Sequence, residues 1–291
     1  MTFFSYIISG LAIGSVYAVI ALGYTMVYGI SKMLNFAHGD VIMVGAYISF
    51  CSVNYWNMPV ILGVALAMLF CTILGALIER LAYKPLRGAG SLAVLITAIG
   101  VSYFLQNAAL LIFGSAPKVF TSVFKGDPFT LGQLVITRET VYTLLVCIVI
   151  MVGMWLFTQK TKIGKAMRAV SEDNNAARLM GINVDSTISL TFIIGSCLAA
   201  VAGILLCSSY PMLMPTTGSM PGIRAFTAAV FGGIGSIPGA MIGGLLLGII
   251  EIFARGYIST ELSDAIVFGV LIIVLLVKPS GLLGKKVREK V

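Results

Sequence analysis

Charged residues are scarce in this chain: they make up 10% of its 291 residues, against about a quarter in ordinary soluble domains. Apolar residues make up 59%, and the mean hydropathy is +1.04. Stretches such as 60–79 and 142–157 are long enough, at about 1.5 Å per residue, to cross most or all of a hydrocarbon core about 30 Å thick. Because their apolar character is continuous and does not alternate, these spans are expected to be helices. The sequence therefore predicts an all-α integral membrane protein.

Histidine is almost absent, since His38 is the only one, and this excludes a zinc site built from several histidines. No serine or cysteine is placed with a supporting acid that would make His38 the base of a catalytic triad. The cysteines form no CxxC pair and are expected to pack as small hydrophobic side chains. They are Cys51, Cys71, Cys147, Cys197 and Cys207. We therefore expect no metal, no cofactor and no enzymatic centre.

A nucleotide-binding loop is missing too, because the pattern GxxxxGK[ST] occurs nowhere in the chain. Acidic residues in the apolar runs are few. Glu79 borders Arg80, and Glu251 lies near Arg255, so both acids are expected to be ion-paired or interfacial residues. Proton- or sodium-driven transporters usually need ionisable or oxygen-rich sites near the membrane midplane. Their scarcity here favours an external source of energy.

Basic residues outnumber acidic ones 19 to 11, which gives a formal net charge of +8. Such an excess could indicate nucleic-acid binding in a soluble chain. Here the bases lie between the apolar runs and in the C-terminal tail, where topology signals and lipid headgroups explain them better. Three clusters are expected to face the cytoplasm. They are Arg80, Lys84 and Arg87; Lys160, Lys162, Lys165, Arg168 and Arg178; and Lys278, Lys285, Lys286, Arg288 and Lys290.

Hydropathy predicts about eight membrane segments in a single transmembrane domain that covers residues 1–291. The segments are 4–29, 38–54, 59–81, 91–113, 140–158, 187–208, 223–253 and 262–277. Between the fourth and fifth lies a mixed polar loop, 115–139, which is expected to form turns and a short hairpin. The positions of the basic clusters place the amino terminus outside.

The segment 223–253 has to enter and leave the membrane on the same side, because the segments before and after it both have their adjoining ends outside. One continuous helix cannot do this. Two pieces could, with a break at Gly232, Gly233, Gly235, Pro238 and Gly239, since glycine and proline relax or forbid helical backbone. The competing explanation is a closely packed helix face of small residues.

A weaker version of the same pattern lies near the front of the chain, where the polar patch 35–40 separates two apolar runs. Irregular segments in corresponding places of two halves point to a transport path and leave open an internal two-fold repeat. Alternatively, Asn35 or His38 caps a helix whose first turn contains Asp40. Both interpretations stay open, because a polar cluster at membrane depth is costly unless it has a use.

The largest polar segment, at about 159–186, is expected to be a cytoplasmic loop. Within it, 171–179 begins with acidic residues and ends with Arg178, an arrangement that suits a helix dipole. Ala176, Ala177 and Met180 offer a small apolar face, and Gly181 supplies a stop. Such a helix could insert into a groove on a partner protein. The alternative is a solvated basic loop or a helix lying on lipid headgroups.

Three motifs in this order resemble a known family. They are LNFAHGDVIMVGAY at 34–47, EDNNAARLMGIN at 172–183 and GGIGSIPGAMIGG at 232–244. Together they are similar to the smaller of the two permease types in bacterial branched-chain amino acid ABC importers. The resemblance implies an inner-membrane complex with a second, related permease, two ATPase subunits and an extracytoplasmic protein that delivers leucine, isoleucine or valine.

The resemblance also implies roles for particular residues. The ATPase-coupling loop of the family corresponds to Glu172, Asp173, Ala176, Ala177 and Gly181, although this chain departs from a strict glutamate-alanine-alanine triplet. The signature breaks, as candidates for the translocation path, correspond to Asn35, His38, Gly39, Asp40, Gly233, Gly235, Pro238 and Gly239. Wider relatives import urea, short amides or sugars, so another small polar solute is an alternative substrate. A self-sufficient channel is the alternative function.

Overall fold

The computed structural model describes residues 2–124, 127–131 and 134–284. The helices are α1 Thr2–Ser31, α2 His38–Asn54, α3 Val60–Ile78, α4 Ser91–Phe113, α5 Arg138–Lys160, α6 Lys162–Glu172, α7 Asn174–Leu179, α8 Val184–Ser209, α9 Ser219–Gly232, α10 Ile237–Tyr257 and α11 Ser263–Val277. The strands are β1 Lys118–Val119, β2 Phe129–Leu131, β3 Leu134–Ile136 and β4 Met212–Leu213. This confirms the all-α polytopic prediction.

Six of the helices in the described ranges are long and apolar enough to cross a membrane: α1, α3 with its extension, α4, α5, α8 and α10. The extension of α3 is a π-helical turn, Glu79–Tyr83, followed by a short 3-10 turn. The helices α2, α9 and α11 are shorter, with 17, 14 and 15 residues. Each predicted segment corresponds to one helix except 223–253, which falls on both α9 and α10.

The helices α1 and α8 form the centre of the bundle, since 72% of the most apolar stretch of each is buried, against 17% for α4 and α5. Small residues let α10 approach α1 very closely. A methyl group added to Gly248 would lie 2.2 Å from the Gly14 Cα, and one added to Gly244 would lie 2.4 Å from the Ala18 Cα. The glycine-rich segment therefore also contains a closely packed face of small residues. That face lies on α10 and not at the break.

The predicted break in 223–253 is confirmed at residues 233–236, between α9 and α10. Gly233 and Gly235 have φ angles of +108° and +90°, which side-chain-bearing residues rarely adopt. Pro238 and Gly239 lie in the first turn of α10 and not in the break itself. Proline suits that place because the N–H it lacks would have no partner in the helix.

The segment after α11 folds back over this break. The Leu282 N–H donates to the Phe231 carbonyl and the Leu283 N–H to the Gly232 carbonyl, both at 2.9 Å. The last carbonyls of α9, which have no partner within the helix, are satisfied in this way. The basic residues of the tail from 285 onward lie outside the described residues.

The first two basic regions and Lys278 lie at one end of the bundle, which we assign to the cytoplasm because basic loops face inward. Arg87, beyond α3, forms an ion pair with Asp185 in the first turn of α8. A crevice at the same end joins Met167 and Arg168 of α6 to Gly235 of the break. The polar segment before α8 and the folded-back tail therefore share this face.

The outer end carries the short strands. The predicted hairpin is confirmed, since β2 and β3 pair antiparallel, although residues 132 and 133 between them lie outside the described residues. Strand β1 pairs with β4, which follows α8, and so ties the loop after α4 to the connection that leads into α9. Asn54, at the end of α2, accepts a hydrogen bond from Thr121 of the same loop at 3.4 Å.

Candidate functional site

The first turns of α2 and α9 meet inside the bundle. A methyl group added to Gly218 would lie 1.8 Å from the Gly39 carbonyl oxygen, and one added to Gly39 would lie 2.7 Å from the Gly218 carbonyl oxygen. From this contact α2 runs towards the outer end and α9 towards the basic end. The partially positive ends of two short helices therefore point at the same interior region.

A polar cluster lies at this junction. The side-chain amide of Gln106 on α4 donates to the Asp40 carboxylate at 2.9 Å, and its nitrogen is 3.2 Å from the hydroxyl oxygens of both Ser102 and Ser219. Asp40 is buried, while Gln106 and Ser219 are partly exposed. Three helices thus place hydrogen-bonding groups together at membrane depth, where polar side chains usually mark a functional site.

The other two polar residues of the front patch are buried in separate contacts. The Asn35 amide oxygen accepts a hydrogen bond from the Tyr83 hydroxyl at 2.9 Å. The His38 ring packs edge-on against the Tyr24 ring, with centroids 4.7 Å apart. The prediction that Asn35 or His38 caps α2 is wrong for their side chains, because α2 begins after Ala37 without a side-chain cap. Asp40 does lie in the first turn, as expected.

The two groups of candidate path residues lie apart in the structure. Gly39 and Asp40 lie near the start of α9, whereas Gly233, Gly235, Pro238 and Gly239 lie beyond its end. A helix of 14 residues spans about 21 Å, which separates the two groups. The rear group contacts other backbone: a methyl group added to Gly29 of α1 would lie 3.1 Å from the Gly235 Cα.

The cytoplasmic segment forms two short helices, and the predicted single helix over 171–179 is wrong in its start. Ser171 and Glu172 end α6, and α7 begins only at Asn174. The reason is Asp173, whose extended backbone stops α6 and whose carboxylate accepts from the N–H groups of Asn175 and Ala176, at 2.8 and 3.0 Å. Glu172 and Asp173 also take part in further interactions.

The exposed face of α7 differs from the predicted one. Ala177 is buried against the bundle with 3% exposure, whereas Ala176 is exposed. The large apolar side chains that project outward are Leu179, at 89% exposure, and Met180, at 82%. Gly181 has φ of +79° and ends the turn, as predicted. The apolar face available to a partner is therefore Ala176, Leu179 and Met180; Leu179 was missed.

Ion pairs fix the base of this segment. Glu79 is ion-paired, as expected, and its partner is Arg87. Arg87 also binds Asp185, and the Ser189 hydroxyl donates to the second Glu79 oxygen at 2.9 Å. The end of α3 and the start of α8 are therefore tied together directly beside α7.

Glu251 is fully buried and binds Arg255, as predicted, but it also binds Arg224 of α9. Sequence reasoning missed both Arg224 and Gln106. A signal for each was present: Arg224 is the only charge in α9, and Gln106 is one of two side-chain amides in the apolar run of α4. Within the described ranges, no group of three histidine, cysteine or acidic residues could hold a metal ion.

Comparison with known proteins finds matches along almost the whole chain. The family described as branched-chain amino acid transport system / permease component matches residues 6–275. The chain is 45% identical to the high-affinity branched-chain amino acid transport system permease protein BraD of Pseudomonas aeruginosa, over 98% of this chain and 97% of that protein. It is also 45% identical to the corresponding permease LivH of Escherichia coli K12, over 99% and 98%.

Among solved structures, the chain is similar to PsaBC from Streptococcus pneumoniae in complex with Fab, with a TM-score of 0.45, 15% identity and coverage of 96% and 91%. At that level the likeness to a solved structure adds no argument. The family match and the two relatives are sufficient to assign the family of this chain. This chain belongs to the family of branched-chain amino acid transport system permease components.

Proposed function

We propose that this multi-pass inner-membrane protein moves leucine, isoleucine and valine across the membrane as one permease subunit of an ATP-driven importer. The observation that carries the proposal is the family match over residues 6–275. Both named relatives are described as branched-chain amino acid permeases, and each aligns with almost the entire chain. A transport role also agrees with polar groups of α2, α4 and α9 that meet at membrane depth.

The energy for transport comes from partners. Because the chain has no P-loop, we expect ATP to be hydrolysed by two separate ATPase subunits and not by this chain itself. The cytoplasmic end offers a place for them, where Leu179 and Met180 project from a short helix. A helix with an exposed apolar face suits insertion into a groove on a partner.

Each predicted coupling residue has a part in forming this docking surface. Asp173 starts α7, Gly181 ends it, and Ala177 packs its inner side against the bundle. Ala176 lies on the exposed side, and Glu172 closes α6 directly before the junction. We expect a push on Leu179 or Met180 to be transmitted through the buried Ala177 to the membrane helices.

The solute path passes the junction where α2 and α9 begin. The carboxylate of an amino acid is attracted to helix N-termini, and two of them point at this region. Asp40, Gly39, His38 and Asn35 belong to this part of the path. The rear group around Gly233 and Gly235 works differently, as a joint that lets α9 and α10 move relative to each other near the cytoplasm.

Two further partners complete the importer. A second, related permease is expected beside this chain, and an extracytoplasmic binding protein delivers the amino acid at the outer end. The binding protein mainly selects leucine-like solutes, so the path itself does not need to bind the solute tightly. Urea, short amides or other small polar solutes are the alternative cargo.

Reconstitution in liposomes tests the proposal against a self-sufficient channel. The full importer should accumulate radiolabelled leucine only with ATP, while this chain alone should give no flux. Changing both Leu179 and Met180 to aspartate should abolish ATP-driven uptake without reducing insertion. Leu179→Met combined with Met180→Leu, which keeps both exposed side chains apolar, is the matched control and should leave uptake unchanged. Leucine flux through the chain alone would support the channel and overturn the proposal.

A further inference from the structure

Arg224 is the centre of a buried ionic cluster that the proposed function does not use. One of its terminal nitrogens is 2.9 Å from a Glu251 oxygen and 3.0 Å from the Tyr17 hydroxyl. Its other terminal nitrogen and its Nε lie 2.5 and 2.9 Å from one oxygen of Asp264. A single side chain on α9 therefore binds α1, α10 and α11 at once.

The cluster is neutral as a whole and continues beyond Arg224. Glu251 is fully buried and also binds Arg255, whose guanidinium donates to the Tyr210 hydroxyl just after α8, at 3.2 Å. Two arginines thus face two carboxylates. Buried charges of this kind are tolerated only when they are paired and hydrogen-bonded, and removal of one partner leaves another charge uncompensated.

On the side that faces α2 and α4, the first turn of α9 is held by uncharged groups. There Ser219 meets Gln106 through one contact between uncharged groups, and a methyl group added to Gly218 would have the Gly39 backbone and the Met43 side chain as its nearest neighbours. Arg224 lies five residues after Ser219, on the same short helix. The charged contacts that hold this part of α9 therefore come from the Arg224 cluster.

We propose that Arg224 is a positioning residue: it fixes α9 to α1, α10 and α11 so that the N-terminus of α9 stays aligned with Asp40 and Gln106 during transport. This inference rests on the proposed function for its consequence in transport, but the positioning itself is a structural claim. Arginine is needed because its planar fork carries five donors that can serve several acceptors at once. The compact ammonium group of lysine cannot reach all three.

Transport measurements with the complete importer give the first test. For Arg224→Lys, leucine uptake at saturating loaded binding protein should fall about tenfold, as expected for the loss of one or two charge-assisted hydrogen bonds, while ATP hydrolysis stays within about twofold. The matched control is Arg138→Lys, which changes an arginine at the outer start of α5 that is remote from the cluster. Both of its activities should be unchanged.

Dipolar EPR distances give a second test that does not depend on transport. Spin labels at Met220 on α9 and Phe104 on α4, both exposed, report the position of the α9 N-terminus in a chain whose native cysteines are replaced by alanine. We expect one narrow distance in the unaltered chain and in Arg138→Lys, and a shifted or broadened distance in Arg224→Lys.

The outcomes separate the possible failures. An unchanged label distance in Arg224→Lys, or uptake and ATP hydrolysis that fall in parallel, would overturn the positioning role. If Arg224→Lys does not insert, Asp264→Asn replaces it, since Arg224 then keeps Glu251 and Tyr17; its distance should broaden, and an unchanged distance would overturn the inference. If the unaltered importer itself shows no ATP-driven uptake, the proposed function fails, and the EPR comparison still decides the positioning claim.

Discussion

The bundle is interrupted in two places, and the two interruptions are constructed in different ways. Between α1 and α2, polar side chains enter the interior, where Asn35 binds Tyr83 and Asp40 binds Gln106. Between α9 and α10, residues 233–236 include two glycines, and backbone groups of the folded-back tail cover the last carbonyls of α9. The first interruption depends on side-chain chemistry and the second on backbone geometry.

This difference separates two roles that look alike in sequence, since each interruption is a small-residue or polar patch between apolar runs. The front interruption brings hydrogen-bonding groups to membrane depth, so changes there should alter transport more than stability. The rear interruption shapes the cytoplasmic end, so changes there should alter stability first. Gly218 should affect both transport and stability, because its close contact with Gly39 lets α9 begin beside α2.

The largest effect is expected for Gly218→Ala. The added methyl group would lie 1.8 Å from the Gly39 carbonyl oxygen, so backbone must shift, and we expect a loss of about 3 kcal/mol in the free energy of unfolding. Gly269→Ala in α11 is the control: it enters open space and should be neutral or slightly stabilising. Thermal unfolding of the purified protein measures both, and equal midpoints would contradict the close contact.

At the rear interruption, Gly233→Ala should destabilise the protein by about 2 kcal/mol, because φ of +108° strains a residue with a side chain. The new methyl group would also lie 2.3 Å from the Gly284 nitrogen. Gly235→Ala shares the positive φ but has its nearest neighbour at 3.7 Å, so it should cost only about 1 kcal/mol. Unfolding in denaturant compares the two, and equal losses would show that the tail contact has no effect on stability.

At the front interruption, Asp40→Asn keeps the shape of the side chain and removes its charge. We expect ATP-driven leucine uptake to fall about tenfold, while the thermal midpoint changes little, because the hydrogen bond from Gln106 is weakened but not lost. Asp127→Asn, in the outer loop, should leave uptake unchanged. A drop in stability without a change in uptake rate would reverse the roles assigned to the two interruptions.

The smallest effect is expected where the tail covers α9. Leu282→Pro removes the N–H that binds the Phe231 carbonyl and should cost about 1 kcal/mol, whereas Leu282→Ala keeps that N–H. Hydrogen exchange of the last turn of α9 should accelerate only in the proline variant. Identical exchange in both variants would mean that the folded-back tail does not protect the helix end.

Much of the fold could be predicted because membrane spans have a strong one-dimensional signal. Continuous apolarity located α1, α3, α4, α5 and α8 within a few residues, and the parity of the basic clusters required the break between α9 and α10. The start of α7 was missed by three residues, because Asp173 acts as a cap in a run that otherwise suits a continuous helix.

The candidate site was harder to predict, because its residues come from distant parts of the chain. Asp40 was singled out, but its partner Gln106 lies 66 residues away on another helix, and no spacing rule connects them. Arg224 was not predicted as a site residue for the same reason, because its partners Tyr17, Glu251 and Asp264 lie on three other helices. Ala177 was placed on the wrong face, because six residues are too few to define an amphipathic pattern.

The most direct measurement is the accessibility of Met180 from each side of the membrane. A cysteine at position 180, in a chain without its native cysteines, would be treated with a membrane-impermeant maleimide in inside-out and right-side-out vesicles. We predict labelling only in inside-out vesicles, and a marked fall in labelling when the ATPase subunits are bound. Labelling from the outer face, or no protection by bound ATPases, would contradict transport driven from the cytoplasm through α7.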